Sequence, residues 1–284
     1  MFCLSFSWSE EKIRWFTRAL EISEYPWVFM PILETMLDRE STVLEIAAGV
    51  GPFARMLADK VRGITALEPC NLALSDLRRT SLEKGIHNIS CVESTWEDWP
   101  GEIHDVVIAS YAGRSITGSR ESLIRMNALA RRGVILVTPV GRERKNFGID
   151  SLYARLRREP PLRTRCPQDT KAILENLGIP FKSAEYTYEF GQPLESIDEG
   201  VQLISGYHEF APCELEIIRD FVQERVTETD NGYYLPSSRT SQVFYWHKAG
   251  SGEQSSSVLS HIKIEASRKQ NLKQINRIHI RTIV

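Results

Sequence analysis

Apolar residues recur along this chain in two rhythms. Over the first forty positions Trp15, Phe16, Leu20, Ile22, Trp27, Phe29, Ile32, Leu33 and Met36 follow a helical spacing that Pro26 and Pro31 interrupt. The pattern predicts two or more amphipathic helices whose aromatic stripes pack against the main body of the fold, with a lid role for a few of these rings as the alternative. From Thr42 the rhythm changes to short apolar runs alternating with helical stripes. "TVLEIA", residues 42–47, reads as a strand. Pro52 suits the start of a helix, where a missing N–H costs nothing, and Phe53, Met56, Leu57 and Val61 supply that helix's stripe. "GITALE" (63–68) predicts a second strand, followed by the helix "LALSDLRRTSLEK" with Asn71 as its cap and Gly85 as its stop. "NISCVES" (88–94) and "HDVVIASYA" (104–112) read as the third and fourth strands. Ser119 is placed to cap "RESLIRMNALARR" and Gly133 to close it. "VILVTPV" (134–140) then has the continuous apolar character of a strand buried on both faces.

Such alternation implies an α/β fold, a doubly wound sheet with helices on both faces. Ligands of these sheets sit at the carboxyl ends of the strands, which singles out Glu45 to Gly51, Glu68, Ser94 to Asp98 and Ser110 to Arg114. Two ligands compete for the first of these loops. "GVGPFA" satisfies the dinucleotide pattern G-x-G-x-x-A through Gly49, Gly51 and Ala54, and Glu68 follows at a distance suited to a ribose, which by itself points to NAD. Glu45 points elsewhere. An acidic residue inside an apolar strand is costly unless it is used, capping the following helix or pairing with a basic neighbour being the plainer alternative, and beside a pyrophosphate it would add like-charge repulsion. S-adenosylmethionine reverses that sign, because it carries an ammonium and a sulfonium as well as a ribose for Glu68.

These residues resemble the first motif of the class I S-adenosylmethionine-dependent methyltransferases, written E/D-x-G-x-G-x-G, through Glu45, Ala47, Gly49 and Gly51, with alanine in place of the first glycine. An alanine fits there if the backbone has ordinary dihedrals, whereas a positive φ would penalise it. The likeness continues over roughly residues 40–140. "ITALEP" is similar to the second-strand motif, which would set Glu68 on the ribose hydroxyls with Pro69 beside it. "ESTWEDWP" is similar to the third-strand segment, with Thr95 and Trp96 at the adenine, while Trp99 reads as cover for the sheet edge. In the fourth-strand motif Asp105 enters and Ser110 and Tyr111 leave. The resemblance further implies a helix at "DTKAILENLGI", a sixth strand at "KSAEYTYEF" and a seventh at "SQVFYWHK", inserted antiparallel between the fifth and sixth: a seven-stranded, mostly parallel sheet with an antiparallel last strand. The implied reaction is in-line transfer of a methyl group to a small-molecule acceptor. Tyr111, or Tyr207 and His208 in "GYHEF", is the candidate source of a base where the acceptor must lose a proton.

Composition narrows the partners. A net charge of −2 over 284 residues gives no global reason to expect nucleic acid or an anionic membrane. The position that reads [D/N]-P-P-[Y/F] in amino-methylating DNA enzymes reads "ASYA". The five cysteines are scattered, without a C-x-x-C pair, as suits a reducing cytosol; no metal site is implied. The first residues lack the basic stretch of a signal peptide, and no apolar run has the length of a membrane span, so the reading is cytoplasmic. Three parts are expected: a helical cap over 1–40, a methyltransferase-like domain over 41–248 with inserts at 141–165 and 191–236, and an extension over 249–284. The basic run from Gly141 is either a solvated helix face or a docking surface for an anionic substrate or acidic partner. The extension follows a Gly/Ser-rich linker and could add a helix or strand, join a homo-oligomer contact, or do neither. A nicotinamide-dependent oxidoreductase, a protein or RNA methyltransferase and a non-catalytic S-adenosylmethionine-binding protein stay open as alternatives.

Overall fold

The structure is a computed structural model and describes residues 7–140, 147–159, 167–208 and 210–248; the extension and parts of the basic run lie outside the described residues. The chain begins with helix α1 (Glu10–Ile22), whose start is set by Ser9, its hydroxyl accepting the Lys12 N–H, and by Glu10 and Glu11 in the first turn. A 3-10 turn (Trp27–Phe29) and the short α2 (Met30–Leu33) complete the N-terminal segment. The alternation follows in the order β1 (Thr42–Ile46), α3 (Pro52–Leu57), β2 (Gly63–Leu67), α4 (Asn71–Glu83), β3 (Ile89–Val92), β4 (His104–Ser110), α5 (Arg114–Thr117), α6 (Arg120–Leu129) and β5 (Ala130–Pro139). Then come α7 (Ile149–Arg155), α8 (Pro167–Asn176), β6 (Lys182–Glu189), β7 (Gln192–Leu194), α9 (Ile197–Tyr207), α10 (Leu215–Gln223), β8 (Thr227–Thr229), β9 (Gly232–Leu235) and β10 (Ser238–His247).

Seven strands form one sheet in the order β3-β2-β1-β4-β5-β10-β6. Strands β1 to β5 pair in parallel, and β10 runs antiparallel to both β5 and β6. Side chains alternate across it. Val43, Val106, Ile108, Val137 and Val243 face one apolar layer, filled by Phe29, Leu33, Phe53 and Leu57. Leu44, Ile46, Val107, Leu136 and Phe244 face the other, filled by Leu123, Met126 and Leu174.

Two element ends differ from their sequence expectation. The helix α4 begins at Asn71, with Cys70 in the cap position and no side-chain cap; the Asn71 amide instead bonds Glu93 and Ser75. Gly133 does not close α6, which stops at Leu129, but lies inside β5 opposite Val106 and His247. The physical reason is close packing: a Cβ at Gly133 would lie 2.6 Å from Met36 Sδ and 2.7 Å from the Trp246 carbonyl oxygen. Tertiary pairing here overrides a glycine's local tendency to end a helix.

The 191–236 insert carries the expected helices and also a three-stranded antiparallel sheet, β7-β9-β8, that the sequence pattern does not announce. With α7 it builds a separate apolar cluster from Leu152, Leu203, Ile204, Ile218, Phe221 and Leu235, into which α1 inserts Trp15. Ile13 on α1 packs instead with Val50 and Ala73 of the sheet domain, so α1 spans both bodies. Glu199 ties the joint, accepting from Trp15 Nε1 at 3.0 Å and from the Glu195 N–H at 2.7 Å and pairing with Arg18. In the basic run, Arg155 pairs with Glu224 and Arg158 with Glu214, so these two charges are matched within the chain. Among the described residues no helix is long and apolar enough to cross a membrane.

Candidate active site

β1 and β4 are neighbours at the centre of the sheet, and the strand order reverses between them, which opens a crevice at their carboxyl ends. A cleft of about 640 Å³ lies there, within the size range of small-molecule sites. Of the residues singled out from the sequence, Glu45, Ala47, Gly49, Glu68, Pro69, Thr95, Trp96, Ser110 and Tyr111 all line it. Gly51 does not. It has φ +66° and gives α4 room, since a Cβ would meet Leu77 Cδ1 at 2.6 Å. His208 is also absent from the lining; its Nδ1 lies 3.2 Å from Tyr153 Oη, and its ring packs with Tyr153 and Phe210 of the insert.

The floor of the cleft is made by two carboxylates that the loop backbone holds. Glu45, 2% exposed, accepts from the Ala54 N–H at 2.8 Å and the Phe53 N–H at 3.3 Å, so it secures the first turn of α3. Burial pushes its carboxyl up to about 8, against the two amide bonds that favour ionisation. Glu68 accepts from the Gly49 N–H at 2.9 Å and the Cys70 N–H at 3.1 Å, and burial raises its carboxyl too. Neither makes an ion pair among the described residues, and each carboxylate keeps lone pairs beyond its amide bonds. The loop that joins these carboxylates is tightly wound: Ala47 has φ 53° and Gly49 φ 55°. Ala47 therefore occupies the left-handed region and carries the penalty foreseen for it, about 1–2 kcal/mol.

The walls come from further elements. Trp96 donates from Nε1 to Ser122 Oγ at 3.1 Å, and the Arg125 guanidinium lies 4.1 Å from its ring centroid while bonding the Trp96 and Trp99 carbonyls. Thr95 is turned toward Asp98, its Oγ1 donating to Oδ2 at 2.6 Å. Trp99 is buried in the core beside Trp96. Asp105 lies at the opposite end of β4, where its Oδ2 accepts from the Thr42 N–H at 2.8 Å and joins β4 to β1.

Beyond β4 the cleft becomes tyrosine-rich. Tyr111, in the left-handed region with φ 52°, has its hydroxyl 2.6 Å from Ser241 Oγ and 3.1 Å from Tyr188 Oη. Tyr25 lies 2.9 Å from Ser110 Oγ and stacks on Tyr188, with centroids 5.8 Å apart. Burial holds the Tyr25 and Tyr188 hydroxyls well above the usual phenol range.

Tyr207, named with His208 as a source of a base, lines the cleft although His208 does not, and Trp8, Tyr25 and Arg239 line it without having been anticipated. Phe16, read as packing, lines the cleft as well. Trp8 sits directly over the loop, since a Cβ on Gly49 would meet its Cζ2 at 2.7 Å. The signal that could have found Arg239 is the one that found Glu45, a charge within a strand's apolar alternation. It was hidden because the strand pattern was read from Ser241 onward, whereas β10 starts at Ser238.

No protein-family model matches the chain, and no curated protein matches it in sequence. Solved structures do match in shape. A protein of Bacillus halodurans C-125 proposed to be a methyltransferase is 14% identical, with 78% of this chain and 98% of that chain covered and a TM-score of 0.50. The YcgJ protein of Bacillus subtilis is 18% identical over 78% and 97% of the two chains, with a TM-score of 0.48. The precorrin-6y C5,15-methyltransferase of Geobacter metallireducens is 13% identical over 78% and 88%, with a TM-score of 0.44. At these identities the likeness is one of fold.

Proposed function

We propose, from the Rossmann-like methyltransferase fold that this chain has, that it is an S-adenosylmethionine-dependent methyltransferase acting on a small-molecule acceptor by in-line displacement. The observation that carries the reading is the use Glu45 makes of α3. A dinucleotide pyrophosphate needs the free N–H groups of that helix start, and here Pro52 has none while Glu45 takes those of Phe53 and Ala54. With Glu68 also buried nearby and unpaired, the floor of the cleft favours a ligand that brings positive charge. When bound, S-adenosylmethionine supplies an electrophilic methyl group on a sulfonium. Glu68 would hold the ribose hydroxyls through its remaining lone pairs, Gly49 would allow close approach of the loop, and Thr95 and Trp96 would flank the adenine. Glu45 would face the aminoacyl end from below.

The rest of the chain's work is alignment and exclusion of water. Trp8, Phe16 and Tyr207 line the cleft, whose volume of about 640 Å³ lies within the range of small-molecule sites and supports a small acceptor. Tyr25 and Tyr188 stay protonated through burial, and the Tyr111 hydroxyl is committed to Ser241 and Tyr188. We therefore assign Tyr111 and Ser110 to positioning and leave His208 out of the reaction. The free Cys70, Cys91 and Cys213 support the cytosol as its place.

Calorimetric titration tests the reading. Wild type should bind S-adenosylmethionine and show no heat with NADH, and Glu68→Ala should weaken the former by at least about tenfold, the equivalent of ~1.4 kcal/mol. Equal affinity in wild type, Glu45→Gln and Glu68→Ala would overturn the assignment of this cleft.

A further inference from the structure

Among the described residues Arg239 is the one strongly basic side chain lining the cleft, and it stands there unmatched. It lies on β10, on the same face as Ser241 and Val243, and is 9% exposed. Among the described residues no carboxylate pairs with it and its side chain makes no hydrogen bond; Nε is buried without a partner. Its contacts are aromatic: the guanidinium carbon lies 3.7 Å from the Phe190 ring centroid and 5.7 Å from that of Tyr111. This side chain is desolvated against rings, an arrangement whose N–H donors ask for an anion. A guanidinium seated over a ring keeps its planar fork of N–H groups for carboxylate or phosphate oxygens. Its aromatic partners belong to the segments that follow β4 and β6, whereas Glu45 lies on β1 and Glu68 follows β2. With Glu45 and Glu68 assigned to the cofactor, the end of the cleft at Ser110, Tyr111 and Arg239 is left for the acceptor.

We infer that Arg239 is a specificity residue that receives an anionic group, carboxylate or phosphate, on the acceptor, so that the acceptor is a small anionic molecule with an apolar or aromatic body. The body would lie against Tyr25 and Tyr111, which line the cleft with Arg239, while Phe190 backs the guanidinium from the core. The inference rests on the methyltransferase reading for the word acceptor, while the anion site stands on Arg239 itself.

The test uses benzoate, phenyl phosphate and the neutral benzamide as probes, titrated into the full chain with and without saturating S-adenosylmethionine. In wild type at least one of the anions should bind about tenfold or more tightly than benzamide. Which of benzoate and phenyl phosphate binds better identifies the anion's chemistry. Arg239→Met should abolish the preference for the anion, Arg239→Lys should retain part of it, and both should keep S-adenosylmethionine affinity within about threefold of wild type. Equal binding of benzamide and both anions to wild type, or no binding of either anion, overturns the inference without recourse to any variant. A preference that survives Arg239→Met overturns it as well. So does an Arg239→Met variant that loses S-adenosylmethionine and keeps benzoate, because the guanidinium would then serve the cofactor's own carboxylate. Failure of wild type to bind S-adenosylmethionine, with the anion preference intact, would count against the methyltransferase reading alone.

Discussion

Two residues at the ends of adjacent central strands, Ala47 after β1 and Tyr111 after β4, hold the left-handed backbone that glycine favours. Strain at both lips of the cleft is consistent with geometry kept for a ligand rather than for stability. Ala47→Gly should relieve about 1–2 kcal/mol of strain while adding roughly 0.5–1 kcal/mol of unfolded-state entropy, for a net gain of about 0.5–1 kcal/mol in urea unfolding. A net loss would mean the methyl group is packed more tightly than its cleft position implies. Glu45 sets a pH dependence. Its carboxyl is raised to about 8, so the stability it contributes is full below the ordinary carboxylate range and is lost as pH rises through about 8. A cation bound beside it favours the ionised form, so S-adenosylmethionine affinity should climb between about pH 6 and pH 8, by at most roughly tenfold per unit, and Glu45→Gln should flatten that climb. Titrations at three pH values read this directly. Glu45 was legible because a carboxylate in an apolar strand is conspicuous, and capping of the following helix was among its readings; which amides it takes depends on where the loop brings Phe53 and Ala54.

Among the elements, most ends were legible from local chemistry. Ser119 caps α6 by accepting the Ser122 N–H, Pro52 opens α3, and Gly85 follows α4 with φ +66°. Gly133 and Asn71 were not, for a shared reason: a glycine or asparagine near a helix end has several structural uses, and partners distant in sequence select among them. Gly133 lets β5 pass under Met36 and beside Trp246. Gly133→Ala should cost about 1–3 kcal/mol through overpacking, read as a lower urea midpoint with the unfolding slope unchanged. The same substitution at Gly85, where nothing lies within 4 Å, meets only its positive φ and should cost less, about 1 kcal/mol.

For the whole molecule the consequential joint is between α1 and the 191–236 insert. Glu199 is buried, which would raise its carboxyl, yet bonds from the Glu195 N–H, Arg18 and Trp15 hold it below the usual range. Its contribution to stability is therefore present above that range and is lost as pH falls through it. Glu199→Ala should remove about 2–4 kcal/mol, and because α1 carries Phe16 onto the cleft, the same variant should speed ligand release in stopped-flow measurements. Destabilisation without any change in release would separate the joint from the cleft. By itself the sequence determined the element order, the doubly wound sheet and the acidic and glycine positions of the loops after β1 and β2, because periodicity, capping and the cost of a charge in an apolar run are local properties. Only the tertiary structure decided that Glu45 secures α3, that Trp8 and Phe16 line the cleft and that Arg239 ends unpaired among aromatic rings, because each depends on which distant segments meet at the crevice between β1 and β4.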